Sequence, residues 1–390
     1  MKKKICFISV RYGLEVNGGA ELHCRQLAEH MAKNFDVDIF TTKAKDYITW
    51  ENEYPNDIDI VNGLTVYRFP VEKERNIKEF VKYNNYFDSE IKGNLENEQR
   101  WVEMQGPYCP KLLEKLEEVK DDYDAFIFFT YLYYPTIMGI PVVKEKSILI
   151  PTAHEEPTIH MTILKQVFNE AGGIFYNTSI EREMVQSYFH NEYVYNDLGG
   201  VGVELPESID PSRVRNKYNL QDYIIYVGRI DLAKGCDTLF EYFQTYKKNN
   251  DNNLKLVLAG KPVIPIPNDG NIISLGFVDD QDKFDLIAGA KALVLPSEFE
   301  SLSMVVLEAM KVHTPVLVNG NCSVVKRHCL ISNAGLYYQS YEEFEGMLNW
   351  MLAHEEECKI IGENGEKYVN ENYTWDIIVE RLSHLIDYIN

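Results

Sequence analysis

The chain has 390 residues, of which 45% are hydrophobic and 12% aromatic, and carries a formal net charge of −21. That length suits two or three domains of ordinary size. Both halves are acidic, which disfavours a nucleic-acid partner, since phosphate contacts need clustered Lys and Arg, and also tight electrostatic attachment to anionic lipid. No apolar run approaches the roughly 18 residues that span a bilayer, and seven scattered cysteines without metal-ligand spacing suit a reduced, cytosolic protein.

In chain order, Met1 to Lys4 leads directly into the apolar run Ile5 to Val10, which Arg11 stops with no small-residue cleavage site. It reads as a first strand rather than a signal peptide. Gly18-Gly19 follows, and then Ala20, Cys24, Leu27, Ala28 and Met31 recur at helical spacing. Val37 to Phe40 reads as the next strand. The segment from Lys43 to Tyr108 is less regular and holds Trp50, Tyr54, Phe69 and Trp101. Insertions of that kind commonly carry recognition. Its basic residues Lys73, Arg75, Lys78 and Lys82 interleave with Glu72, Glu74 and Glu79, so they read as a solvated face.

Ala125 to Tyr131, Ser147 to Ile150 and Gly173 to Tyr176 read as buried strands, with a helix over Ser179 to Tyr188. The run Gly199 to Pro206, rich in glycine, marks a linker. A second strand-helix series follows, with strands expected at Tyr223 to Val227, Leu254 to Ala259, Ile272 to Ser274, Ala292 to Leu295 and Pro315 to Val318. Such alternation implies parallel sheets covered by helices in both halves. After Tyr373-Thr374-Trp375, the residues Ile377, Ile378, Leu382, Leu385 and Ile386 form the apolar face of a last helix.

Four places carry candidate chemistry. In Pro296 to Glu308 a short apolar strand meets proline, and Glu300 and Glu308 stand eight apart around Ser301-Leu302-Ser303. Ser301 and Ser303 can cap a helix start. A strand, a tight loop and a helix N-terminus make an anion site, and carboxylates beside it can accept from sugar and ribose hydroxyls. The plain alternative is a capped amphipathic helix with two solvated acids. Arg229, after Val227-Gly228, and Lys234 bring two cations to a strand end, where they can clamp a diphosphate. Gly18 and Gly19 would let backbone amides approach phosphate closely, although the G-x-G-x-x-G fingerprint and the P-loop pattern are both missing. His154, just past an expected strand, faces the usual ligand crevice of such sheets; Glu155 or Glu156 beside it could touch an acceptor or simply cap the ring. Asp122-Tyr123-Asp124 imitates a metal motif but reads as solvated charge, and no cluster has metal-ligand spacing.

Taken together, Gly18-Gly19, His154, Gly228-Arg229 to Lys234, the Leu275 to Val278 turn and the Glu300/Glu308 pair resemble, in order, the landmarks of retaining family 4 glycosyltransferases of the GT-B fold, the bacterial group 1 type. The resemblance spans nearly the whole chain. It implies two Rossmann-like domains with parallel sheets facing across a cleft: residues 1–203 on the acceptor side, residues 204–370 binding a nucleotide-sugar, and residues 371–390 crossing back as a helix onto the first domain. By resemblance, Arg229 and Lys234 neutralise the departing diphosphate, Glu300 holds donor-sugar hydroxyls and Glu308 the ribose. His154 would stabilise positive charge at the anomeric carbon, Phe277-Val278 would hold the nucleobase through main chain, and the Gly18-Gly19 loop would close over the donor. Where the family usually has Gly-Phe-Gly after the first glutamate, this chain has Ser301-Leu302-Ser303, which puts donor-sugar specificity in question. The expected activity is metal-independent sugar transfer with retention, without a cofactor, from a nucleotide-diphosphate sugar. UDP is favoured over GDP or dTDP, and the acceptor is a glycan or a lipid- or protein-linked hydroxyl in polysaccharide or glycoconjugate assembly. The location expected is cytoplasmic, with at most weak contact at the inner membrane face. Rival readings are a nucleotide-sugar epimerase, a sugar phosphorylase, and a non-catalytic partner of another transferase.

Overall fold

The computed structural model describes residues 2–16 and 18–390. Contacts divide the chain into two compact units, Met1–Val201 with Trp375–Asn390, and Gly202–Thr374.

The first unit opens with β1 (Lys4–Ile8), α1 (Gly19–Met31) and β2 (Asp36–Thr42), then β3 (Ile58–Val61), β4 (Leu64–Phe69), α2 (Ile77–Asn84), α3 (Leu95–Gln105) and α4 (Pro110–Val119). It continues through β5 (Ala125–Phe129), α5 (Tyr134–Val143), β6 (Ser147–Ile150), α6 (Leu164–Glu170), β7 (Gly173–Tyr176), α7 (Ser179–Phe189) and β8 (Asn196–Leu198). These strands form one eight-stranded sheet, ordered β3-β4-β2-β1-β5-β6-β7-β8. Its central strand β5 is wholly apolar, and every residue of it, Ala-Phe-Ile-Phe-Phe, is buried. Phe126 and Phe128 join a core with Leu116, Ile137, Leu164 and Tyr176. A buried side chain of that size contributes about 1.5–3 kcal/mol.

Two features differ from the sequence reading of this unit. The stretch from Lys43 to Tyr108 is not irregular: it holds β3, β4, α2 and α3. In addition, β3 pairs antiparallel with β4, so the sheet is not parallel throughout. Asn62 at φ 47° and Gly63 at φ 83° join that hairpin. Both central residues of this turn need positive φ, which Asn-Gly supplies. The sequence carries this two-residue signal amid charged and aromatic residues that obscure the alternation of the flanking strands.

The second unit runs through α8 (Pro211–Tyr218), β9 (Tyr223–Val227), α9 (Cys236–Asn249), β10 (Lys255–Ala259), β11 (Ile272–Gly276), α10 (Asp280–Gly289) and β12 (Ala292–Leu295). It closes with α11 (Met304–Lys311), β13 (Val316–Asn319), α12 (Ser323–Ser332), β14 (Gly335–Tyr338), α13 (Tyr341–Ala353) and α14 (Glu355–Asn372). The six strands are parallel, in the order β11-β10-β9-β12-β13-β14. Strand order reverses between β9 and β12, which is where open α/β sheets bind ligands beyond their strand ends. Helix α14 packs closely on α11 through glycines: a Cβ on Gly362 would meet the His313 carbonyl oxygen at 2.2 Å, and one on Gly365 the Met310 Cα at 3.0 Å.

The last helix, α15 (Trp375–Tyr388), belongs with the first unit. It packs on α1, β7 and β8. The His30 and Trp375 rings stack at 4.2 Å, and those of Tyr195 and Tyr388 at 3.7 Å. Ile378, Leu382, Leu385 and Ile386 are fully buried, which is why an i, i+4 apolar face appears in the sequence. Among the described residues, no helix is long and apolar enough to cross a membrane.

Candidate active site

The loop after β9 is built to hold two cations. Gly228 takes φ +148°, and Gly260 takes φ +156° so closely packed that a Cβ there would lie 1.8 Å from the Gly228 carbonyl oxygen. The Tyr226 hydroxyl donates to the Arg229 carbonyl at 2.7 Å. Asp231 then organises both basic residues. One carboxylate oxygen pairs with Arg229 Nε, and the other accepts from the Lys234 amide at 2.9 Å, capping the short turn Leu232–Lys234. Gly235, at φ +68°, lies where a Cβ would sit 2.7 Å from the Pro296 carbonyl oxygen, so the β9 and β12 loops touch. Lys234 Nζ reaches across to Glu300 Oε1 at 2.7 Å. The Arg229 side chain remains half exposed.

Glu300 lies in the loop after β12, and Glu308 lies in α11. Ser303 occupies the N-cap of α11 at φ +64° and makes no side-chain cap. Its hydroxyl is buried without a hydrogen-bond partner. The expected serine cap is therefore not made: in the left-handed conformation Ser303 lacks the extended geometry that aims a capping oxygen at the first turn. The helix still begins there, leaving first-turn amides without intrahelical acceptors. His328, on α12, supports the loop from behind. Its Nε2 is 3.1 Å from the Leu302 carbonyl oxygen, and its Nδ1 is 2.9 Å from the Tyr368 hydroxyl.

Glu308 is not a solvated acid. Its Oε1 lies 2.8 Å from Lys283 Nζ on α10, and both side chains are largely buried. Burial pushes the Glu308 carboxyl above its ordinary value, and Lys283 pulls it part of the way back. Burial lowers the Lys283 ammonium, but the Glu308 and Asp280 carboxylates outweigh it and raise its affinity for the proton. Between β11 and α10, Gly276 at φ +67° turns the chain and accepts from the Gly260 amide at 2.7 Å. Phe277 is left 81% exposed beside the partly buried Val278. Asp231, Lys283 and His328 escaped sequence reading. Lys283 and His328 act on partners brought close by folding, which no local pattern marks, whereas Asp231 acts within its own turn.

The remaining expected residues lie in the first unit. Gly18 precedes α1 in extended conformation, and a Cβ there would meet the Glu21 carboxylate and Arg11 Nη2; Gly19 has open space around it. Arg11 Nη2 forms an ion pair with Glu21. His154 lies past the end of β6, with Nε2 3.7 Å from Glu156 Oε2. The two neighbouring acids differ. Glu156 accepts from the buried Tyr131 hydroxyl, whereas Glu155 accepts from Tyr188 at 2.5 Å and faces His160 at 3.4 Å. The loop is anchored by Glu181 on α7, which accepts from the amides of Ala153 at 2.5 Å and Asn177 at 2.6 Å. Burial pushes the Glu181 carboxyl up to about 8, with those amides opposing. Of the Asp122-Tyr123-Asp124 run, Asp122 is exposed and Asp124 accepts from the Lys4 amide at 2.6 Å. Among the described residues, no group of three His, Cys, Asp or Glu side chains is placed to share a metal ion.

Residues 210–368 match the family of glycosyl transferases group 1. The second unit is a group 1 glycosyltransferase domain. An uncharacterised glycosyltransferase of Methanocaldococcus jannaschii is 23% identical over 97% of this chain and 96% of its own. Two solved structures share the fold. One is WaaG, a glycosyltransferase involved in lipopolysaccharide biosynthesis, at TM-score 0.67 and 16% identity, covering 98% of this chain and 99% of that one. The other is Anabaena HepE in complex with UDP-glucose, at TM-score 0.70 and 13% identity, covering 98% and 99%. The two α/β units thus have the GT-B fold. Within the matched segment lie Arg229, Lys234, Phe277, Val278, Lys283, Glu300, Ser301, Leu302, Ser303 and Glu308, whereas Gly18, Gly19 and His154 precede it.

Proposed function

We propose that this glycosyltransferase moves a sugar from a nucleotide-diphosphate sugar, UDP-linked in preference to GDP- or dTDP-linked, to an acceptor hydroxyl with retention. The observation that carries the reading is the meeting of Arg229, Asp231, Lys234 and Glu300 at the reversal of strand order between β9 and β12. Arg229 and Lys234 stabilise negative charge as the sugar–phosphate bond breaks, doing the work a metal ion would otherwise do. Glu300 accepts from donor-sugar hydroxyls, Glu308 accepts from the ribose, and the Ser301–Ser303 loop brings backbone amides to the donor. The turn at Phe277-Val278 holds the base. His154 stabilises the developing oxocarbenium ion and Gly18-Gly19 closes over the donor. The anomeric carbon loses its bond to the diphosphate oxygen and gains one to the acceptor oxygen on the same face, and the acceptor proton leaves with the diphosphate. No cofactor is required.

The UDP preference draws support from the UDP-glucose held by the Anabaena relative, which has the same fold. An acceptor in polysaccharide or glycoconjugate assembly, carried on a glycan, lipid or protein, draws support from the lipopolysaccharide role of WaaG. The acidic surface suits a cytoplasmic protein with no more than weak peripheral membrane contact. We assign residues 1–203 to the acceptor side, 204–370 to the donor and 371–390 to a helix returned to the first domain.

A melting-temperature screen against nucleoside diphosphates and their sugars tests the donor, because a ligand of the native state alone raises stability by mass action. An increase with one diphosphate sugar, followed by transfer to a glycan acceptor with the anomeric configuration kept, is the expected result. Conversion of the donor without any acceptor would instead indicate an epimerase. No response to any nucleotide would overturn the reading.

A further inference from the structure

The Ser301–Ser303 loop is held in a conformation its residues do not favour. Ser303 sits at φ +64°, in the left-handed region where a side chain is a burden and glycine is not. Its buried hydroxyl has no partner to offset that cost, so the surrounding structure must hold the loop in place. The Leu302 side chain is buried, and the carbonyl of Leu302 meets His328 Nε2 at 3.1 Å. A carbonyl only accepts, so Nε2 carries the hydrogen. On a neutral ring Nδ1 then accepts, and the Tyr368 hydroxyl at 2.9 Å is its donor. Burial lowers the His328 ring to about 4, which keeps it neutral near pH 7. Tyr368 is fixed in turn by the Tyr373 hydroxyl at 3.4 Å and by ring contacts with His328 and Tyr373 at 5.9 and 5.5 Å.

We propose that His328, with its tautomer set by Tyr368, is a positioning residue that holds the Ser301–Ser303 backbone in the shape the donor needs. The assignment rests on the donor reading above. His328 touches no substrate; it acts through the Leu302 carbonyl. Removing the imidazole leaves that carbonyl unpaired and lets Ser303 relax toward ordinary φ, which turns the loop amides away from the donor.

The test uses the full-length protein and whichever of UDP-glucose, GDP-mannose and dTDP-glucose raises its melting temperature most. Affinity by calorimetry and turnover are measured for wild type, Arg229→Ala, His328→Ala, Ser303→Gly and the His328→Ala/Ser303→Gly double variant. His328→Ala should bind the donor roughly ten-fold more weakly, the scale of one unmade buried hydrogen bond. Ser303→Gly should restore much of that loss in the double variant, because glycine reaches positive φ without strain. A role confined to core packing would lower the melting temperature and leave no such rescue. Wild-type affinity in folded His328→Ala, or a loss that Ser303→Gly does not repair, overturns the proposal while Arg229→Ala still weakens binding and upholds the donor reading. Failure of wild type to bind any of the three sugars removes both. If His328→Ala does not fold, Tyr368→Phe carries the test, since it keeps the packing and frees only Nδ1. It should lose affinity in the same direction and be repaired by Ser303→Gly; unchanged affinity overturns the proposal.

Discussion

Lys234 Nζ lies 2.7 Å from Glu300 Oε1, joining the turn after β9 to the loop after β12 across the line where the sheet reverses its order. Sixty-six positions separate the two residues, and on the proposed reading they serve two ends of one substrate, the diphosphate and the sugar. Their pairing fixes both long side chains before a ligand arrives, so less conformational freedom is lost on binding.

Arg229→Ala and Lys234→Ala should each lower turnover by about 100-fold, the scale of a lost oxyanion donor. The losses should not add in the double variant, because both residues meet Asp231 and, on the proposed reading, act on one leaving group. Stability should change little in Arg229→Ala, whose side chain is half exposed. Steady-state kinetics of both single variants and the double variant check this. Near wild-type turnover in either folded single variant removes that residue from the site.

Glu308→Gln should weaken nucleotide affinity roughly ten-fold, on the scale of a lost charged hydrogen bond. Lys283→Met should also weaken it, with a distinct pH signature. Lys283 is what pulls the Glu308 carboxyl back down. Without it the carboxyl protonates at higher pH, and a protonated carboxyl accepts ribose hydrogen bonds less well. Affinity in Lys283→Met should therefore fall as pH is lowered, more steeply than in wild type. Calorimetric titrations across a pH series would show parallel curves if Lys283 has no such role.

On the proposed reading Arg229 and Lys234 supply the positive charge at the diphosphate, so transfer should persist in EDTA. Complete loss of activity that added metal restores would assign that work to an ion instead.

Glu181 makes the stability of the first unit depend on pH. Its carboxyl is pushed from an ordinary 4.5 up to about 8 by burial. The folded state then holds a proton that the unfolded chain has released between those values. This stabilising contribution is complete below about 4.5 and is lost as pH rises through about 8. Glu181→Gln should flatten that slope in urea unfolding. It should also cost about 1–3 kcal/mol throughout, because the amide nitrogen of glutamine cannot accept from a backbone amide. An unchanged slope would show that Glu181 stays ionised in the folded protein.

Much of the second unit was legible in the sequence because β9, β10, β12 and β13 are short, continuous apolar runs buried on both faces. Tyr223–Val227 and Ala292–Leu295 appear with the bounds expected of them. The last helix was equally plain, since its buried stripe recurs at 3.6 residues. Weaker signals failed. Strand β8, of three half-buried residues, offers no apolar run, and the β3–β4 hairpin rested on two turn residues amid charge. The sequence also singled out Arg229, Lys234, Glu300 and Glu308 by type and order, but not their companions. Asp231, which clamps one loop, Lys283, which neutralises Glu308 from another helix, and His328, which holds Leu302 from beneath, depend on approaches between segments 25 residues or more apart or on the fold of a single turn. Local periodicity encodes which face of an element is buried. Which polar group meets which is decided when the buried faces pack, because a buried charge or carbonyl must then find a partner in whatever element lies against it.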